Sequence, residues 1–156
     1  MTHEQYLQLA IEEADRGMNT DQGGPFGAII VLDGEIIGRG NNRVIHDNDP
    51  TAHAEVVAIR KACKQVEHFH LKNAILYASC EPCPMCLSAI YWAGIEKVYF
   101  SSDSDDAANI GFSDAFIYEQ LPLPKEKRSV KLYQLRLEEG DDLFSSWLEK
   151  EDRKQY

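Results

Sequence analysis

Apolar positions along the chain alternate between helical and strand-like spacing. Leu7, Ala10, Ile11, Ala14 and Met18 recur at helical steps, and Gly17 with the polar TDQGGP stretch ends the pattern, which predicts a first helix. FGAIIVL and EIIGRG then flank Asp33-Gly34, a pair that supplies the positive φ angles of a tight hairpin turn, so two antiparallel strands are expected. A second helix is predicted from residue 53 to about 66, with Val56, Ile59, Ala62 and Cys63 on one face. AILYAS reads as a short buried strand, Pro84 to Trp92 as a helix with proline at its start, and KVYFSS as another strand.

Beyond these, DSDDAANIGFSDAF predicts an irregular helix and loop, which Pro122 and Pro124 bring to an end. SVKLYQLRLEE alternates loosely through Val130, Leu132, Tyr133, Leu135 and Leu137 and predicts a last strand, with DDLFSSWLEK as a last helix capped by an acid. Interleaved strands and helices imply an α/β fold, a three-layer α/β/α domain on a mixed five-stranded sheet. The 156 residues suit one domain, expected to span 1–156, with enough buried surface to fold without staples.

Composition narrows the function. The formal charge of −10, from 16 Lys plus Arg against 26 Asp plus Glu, repels phosphate backbones, so no nucleic-acid partner is expected. No apolar run is long enough for a bilayer, and the acidic, helical N-terminus differs from an export leader, so no membrane association and a cytoplasmic location are expected. Three of the four cysteines crowd into SCEPCPMC, which in such a compartment suggests a metal rather than disulfides.

TAHAE, Thr51 to Glu55, places His53 and Glu55 two residues apart where a loop becomes a helix. Residues two apart point to nearly opposite sides of a helix, but at its first turn both reach a target beyond the end. Cys83 and Cys86 share one face at the start of the third helix. With His53 they form a Cys2His set, whose soft sulfur and imidazole donors select Zn²⁺ and leave a fourth tetrahedral position open. Zinc brings a water in that position to a pKa of about 7, and Glu55 is placed to take its proton. Two other arrangements use the same residues. Glu55 could be a fourth ligand, or Cys80 could close a structural Cys3His site. An iron–sulfur cluster would need a further cysteine. Cys63 belongs with the core, and His3, His46, His68 and His70 lack ligand spacing.

H-x-E followed by P-C-x-x-C is the signature of zinc nucleobase deaminases. HAE at 53–55 and PCPMC at 82–86 make the chain resemble the cytidine/deoxycytidylate deaminase superfamily. Within it, GGPFGAII, NDPTAHAEVVAIRKAC, SCEPCPMCLSAIYWA, GFSDAFIY and the final KQY are most similar to the short, Bacillus-type bacterial guanine deaminases.

The resemblance implies hydrolytic deamination of guanine, a small-molecule substrate, to xanthine and ammonia. It also implies one Zn²⁺ per subunit and a homodimer that exchanges residues about 120–156. It matches His53, Cys83 and Cys86 to the zinc ligands and Glu55 to the proton shuttle. Asn42 matches an amide that reads the purine edge, and Asp114 a second carboxylate near the amino group. Phe26 and Trp92 match pocket aromatics, Ala54 a substrate-binding position, and Tyr156 a C-terminal residue that closes the site. Guanine offers donors at N1 and N2 beside acceptors at O6 and N7, a pattern that a carboxylate and an amide together can read. Alternatives of the same chemistry are deaminases of guanosine, cytosine or tRNA adenosine. A non-catalytic zinc-binding module is the alternative from another class.

Overall fold

In the computed structural model, residues 1–155 are described; Tyr156, expected to close the site, lies outside the described residues. The chain divides into two units, Met1–Ala115 and the residues from Phe116 onward.

The first unit opens with helix α1 (His3–Asn19), started by a capping box in which Thr2 accepts from the Gln5 amide and the Gln5 side chain accepts from the Thr2 amide. Strands β1 (Gly27–Leu32) and β2 (Glu35–Asn41) come next, joined by Asp33 and Gly34 at φ 50° and 85°, the turn geometry expected from the Asp-Gly pair. Then come α2 (Val44–Asp47), α3 (Ala54–Gln65), β3 (Ile75–Cys80), α4 (Pro84–Trp92), β4 (Lys97–Ser102) and α5 (Ser104–Asn109). The sheet order is β2-β1-β3-β4, with β1 antiparallel to both β2 and β3, and β3 parallel to β4.

Alternation along the two central strands builds the layers. Ile29, Val31 and Tyr77 point to one face and pack with Tyr6 and Ala10 of α1. Ala28, Ile30, Leu76 and Ala78 point to the other, against Ala54, Ala58 and Ala62 of α3 and Ile90 of α4. Burying each of Ile29, Ile30 and Leu76 completely contributes about 1.5–3 kcal/mol. This is the expected three-layer α/β/α arrangement.

The second unit contains α6 (Ala115–Gln120, whose first residue belongs to the first unit), a 3-10 turn at Lys125–Lys127 and α7 (Glu138–Glu149). Two expectations are corrected here. The sheet has four strands among the described residues, not five, because the stretch through Val130, Leu132, Tyr133, Leu135 and Leu137 forms no ladder. A strand needs an edge to pair with, and these side chains remain between 54% and 87% exposed. In addition, α7 begins at Glu138 behind Leu137, with no side-chain cap, rather than behind an acid.

The helix faces are also rotated from expectation. On α1, Tyr6, Ala10, Glu13, Ala14 and Gly17 are buried, whereas Ile11 and Met18 are exposed. On α3 the fully covered side is Ala54, Ala58 and Ala62, whereas Val56, Ile59 and Cys63 are half-buried. Close packing explains both shifts. A Cβ on Gly40 would lie 2.1 Å from the Ala54 carbonyl oxygen, and one on Gly38 would lie 2.5 Å from that of Ala58. Only alanines opposite glycines allow α3 to meet β2 at backbone distance.

Gly40→Ala is therefore expected to destabilise the protein by about 1–3 kcal/mol through overpacking. Gly140→Ala, where nothing lies within 4 Å, should be neutral or slightly stabilising. Urea unfolding of the two variants checks the contrast, and equal midpoints would contradict the close approach.

Candidate active site

The backbone contact with β2 fixes the first turn of α3, and β3 delivers the chain to the first turn of α4. His53 is the N-cap of α3 and Cys83 the N-cap of α4, and neither side chain makes a capping hydrogen bond. Both are thus available to a shared target, and Cys86 joins them from the first turn of α4. The donor atoms of His53, Cys83 and Cys86 all lie within 4.8 Å of one another.

Their spacing fits zinc. His53 Nδ1 is 3.5 Å from the sulfurs of both Cys83 and Cys86. Zn–N and Zn–S bonds of about 2.0–2.1 and 2.3 Å, opened to the tetrahedral angle, put nitrogen and sulfur about 3.6 Å apart. Two thiols and an imidazole are also the soft donors that zinc prefers. Cys80 lies outside this group, and its thiol donates to the Asp103 carbonyl oxygen at 3.4 Å. Glu55 lies outside it too, although it interacts with Cys86. The closed arrangements considered from the sequence therefore find no fourth donor in the group among the described residues.

Electrostatics reflect this crowding. The Cys86 thiol bonds to Cys83 and, with help from His53, pulls the Cys83 pKa down to about 4. The same bond and burial push the Cys86 thiol far up. His53 is raised, chiefly by its bond to Cys83. Three polar donors thus crowd a space that a cation would fill. Burial raises Glu55 above the ordinary carboxylate range, and the negative charge of Cys83 adds to the effect. Burial likewise lifts Cys80 to about 11.

Several of the other expected residues gather nearby. Ala54 opens α3 between His53 and Glu55 and is buried. Asn42 is buried at the end of β2, where its amide N–H donates to the Phe26 carbonyl oxygen at 2.9 Å. Next to it, Arg43 N–H donates to the Ala52 carbonyl oxygen at 2.9 Å, tying this corner to the His53 loop. Phe26 is half-buried and meets Phe112 edge-to-face at 5.0 Å. Beside Phe26 lies a cavity of about 440 Å³ lined also by Cys80, Ser102, Asp106 and Ile110; the three donors, Glu55, Asn42 and Asp114 are not part of its lining. Asp114 has a raised pKa, first from burial and then from the charges of Cys83 and Glu81, which puts it within electrostatic reach of the donor group.

Trp92 is not brought there within one chain. It ends α4, roughly 13 Å along the helix from Cys83 at 1.5 Å per residue, and is 67% exposed. Two further features escape sequence pattern. Glu81 accepts from the Ser104 amide at 3.1 Å and so anchors the start of α5 to the cysteine loop. Gly23 packs against Asn42 while Gln22 bonds to its neighbours Asn41 and Arg43, and the paired glycines at 23–24 are the one signal that this turn approaches something closely.

Residues 1–102 match the family described as the cytidine and deoxycytidylate deaminase zinc-binding region. A guanine deaminase of Bacillus subtilis is 50% identical over 156 residues, 100% of each chain. A tRNA-specific adenosine deaminase of Aquifex aeolicus is 37% identical over 150 residues, 96% of each. The X-ray structure of the Bacillus subtilis guanine deaminase superposes with a TM-score of 0.97, covering 100% of this chain and 99% of that one.

Metal content should respond to individual residues. Cys83→Ser and Cys86→Ser are expected to lose bound zinc while Cys80→Ser keeps it, and zinc X-ray absorption should show two sulfurs, one imidazole and a light atom. A third sulfur would overturn the assignment. Because the raised pKa values of His53 and Cys86 mean that protons compete with the metal, zinc affinity should fall as pH falls. Competition with a chromophoric chelator measures the slope.

Proposed function

The chain belongs to the cytidine and deoxycytidylate deaminase zinc-binding family, and from that premise we propose that it hydrolyses guanine to xanthine and ammonia. The observation that carries the proposal is the three-donor group of His53, Cys83 and Cys86, with the buried acid Glu55 beside it. Full-length likeness to a guanine deaminase supports the choice of substrate.

His53, Cys83 and Cys86 would hold a zinc ion, one per subunit, which would supply the Lewis acidity that makes water a nucleophile at neutral pH. Glu55 takes one proton from the attacking water as the new C2–O bond forms and delivers it to ring nitrogen N3, then carries the remaining hydroxyl proton to the amino nitrogen. The C2–N bond breaks, ammonia leaves, and a carbonyl remains at C2 beside the protonated N3. Burial supports this shuttle, since a carboxylate held above its ordinary range is a stronger base towards water and returns the proton from within a site shielded from solvent. Asp114, raised in the same direction, is the second carboxylate facing the amino group. Phe26 supplies an aromatic wall, Ala54 leaves room over the base, and Asn42 reads the purine edge.

We also propose that residues 1–156 act as one catalytic domain in a homodimer exchanging the segment from about 120. Support comes from the unpaired, exposed apolar positions of 130–137, and from the exposed Tyr99 and Phe100 on the edge strand β4. In such a dimer the exposed Trp92 and the terminal Tyr156 serve a partner's pocket. A cytoplasmic location is proposed with this function; its support is the four cysteines, all free, and the absence among the described residues of any helix long and apolar enough to cross a membrane.

The second reading within the family, deamination of tRNA adenosine, has support in the likeness to the Aquifex enzyme. The charge of −10 opposes it, because RNA affinity rests largely on cationic side chains that release counterions.

Ultraviolet spectra of guanine, guanosine, cytosine and adenine incubated with zinc-loaded protein test the substrate. Guanine should be consumed, and cytosine consumed beside unchanged guanine would refute the choice. Glu55→Gln should lower kcat by at least about 10²-fold with zinc content unaltered. Loss of zinc in that variant would instead make Glu55 a ligand.

A further inference from the structure

We propose that Gln22, with the glycine turn behind it, is the positioning element for the Asn42 amide and so sets affinity for the purine. This rests on the reading of Asn42 as the group that reads the purine edge.

A single oxygen holds both chain neighbours of Asn42. Gln22 Oε1 accepts from Asn41 Nδ2 at 3.0 Å and from Arg43 Nη1 at 2.9 Å. The backbone carbonyl of Gln22 accepts from the His46 amide at 3.1 Å, and its own amide donates to Gly17 at 3.0 Å, which fastens the turn to the end of α1. Asn41 is 1% exposed and cannot find water in place of these partners. Its Nδ2 also donates to the Asn42 carbonyl oxygen at 2.9 Å, and its Oδ1 accepts from Arg16 at 3.4 Å.

Contact with the Asn42 side chain itself comes from Gly23. A Cβ there would lie 2.0 Å from Asn42 Oδ1 and 2.7 Å from its carbonyl oxygen, so only glycine lets the turn close over the amide. Asn42 Oδ1 accepts from the Val44 amide at 3.1 Å, which fixes which end of the amide is oxygen. Nδ2 is the end left to donate, and it matches the O6 and N7 acceptors of guanine. Backbone bonds orient the residue, but its neighbours' side chains converge on Gln22, which itself lies outside the metal group. Gln22 is thus a positioning residue, acting on the base through Asn42.

Steady-state kinetics on guanine with the zinc-loaded, full-length protein tests this. Gln22→Leu is expected to raise KM roughly tenfold, about the worth of one lost hydrogen bond, with kcat and zinc content within twofold of the parent. Gln22→Glu keeps an acceptor at the same place and should restore KM to near the parent value. Gly23→Ala, pressing on Oδ1 instead, should raise KM in the same way. On an Asn42→Ala background, Gln22→Leu should add nothing, because the group it positions is gone. Should Asn42→Ala raise KM while Gln22→Leu is silent, or multiplies the defect in the double variant, the positioning role is overturned and the reading of Asn42 survives. A silent Asn42→Ala would overturn that reading, and the role of Gln22 with it.

Discussion

The backbone of β2 touches the backbone of α3, and the catalytic geometry depends on that contact. Gly38 and Gly40 leave no side chain between the two elements, and Ala54, Ala58 and Ala62 present the matching small surface. Glycine in a strand carries an entropic cost and gives up packing area. What it yields here is placement. Since Ala54 is the first residue of α3, the close approach at Gly40 fixes the helix end that carries His53 on one side of Ala54 and Glu55 on the other. A bulkier seam would bury more apolar area but would move the ligand and the acid together away from the cysteines.

Helix capping shows the same trade. Helices α1 and α5 both begin with complete capping boxes, Thr2 with Gln5 and Asp103 with Asp106. At α3 and α4 the N-cap side chains are His53 and Cys83, and neither caps. A cap contributes about 0.5–2 kcal/mol, so the two helices at the site forgo stabilisation that the others take. In exchange, the uncapped ends direct their dipoles and amide groups at the point where two thiolates must be held. Ligation and helix initiation use the same residues here, and ligation wins.

Much of this was legible in the sequence. The hairpin at Asp33-Gly34, the four strands and the helices opening at His53 and Cys83 are set by periodicity and turn chemistry, and the metal group by C-x-x-C with H-x-E. The buried faces of α1 and α3 were legible only in part, through Ala10, Ala14 and Ala62. Hydrophobic ranking favours Ile11, Met18, Val56 and Ile59, whereas close approach favours Ala10, Ala14, Ala58 and Ala62, and a glycine opposite is visible only once the layers are known. The fifth strand failed for a different reason. Residues 130–137 have the composition of a strand, but pairing is a property of two segments, and no ladder forms there among the described residues. Gln22 had no signal at all, since a hydrogen-bonding residue in a polar turn looks like any other.

On the proposed function, the groups assigned to chemistry and to base selection hang on different elements. The metal donors and Glu55 depend on two helix ends, and those on the seam with β2. Asn42 sits one residue beyond that strand, and its neighbours hang on Gln22, in a turn anchored to α1 on the opposite face of the sheet. On that reading a substitution in the turn acts first on Asn41 and Arg43, the neighbours of the amide, and reaches α3 only through the Arg43 backbone bond to Ala52. Because Arg43 bonds to Ala52 just before His53, a shift of the helix end would drag the Asn42 corner with it.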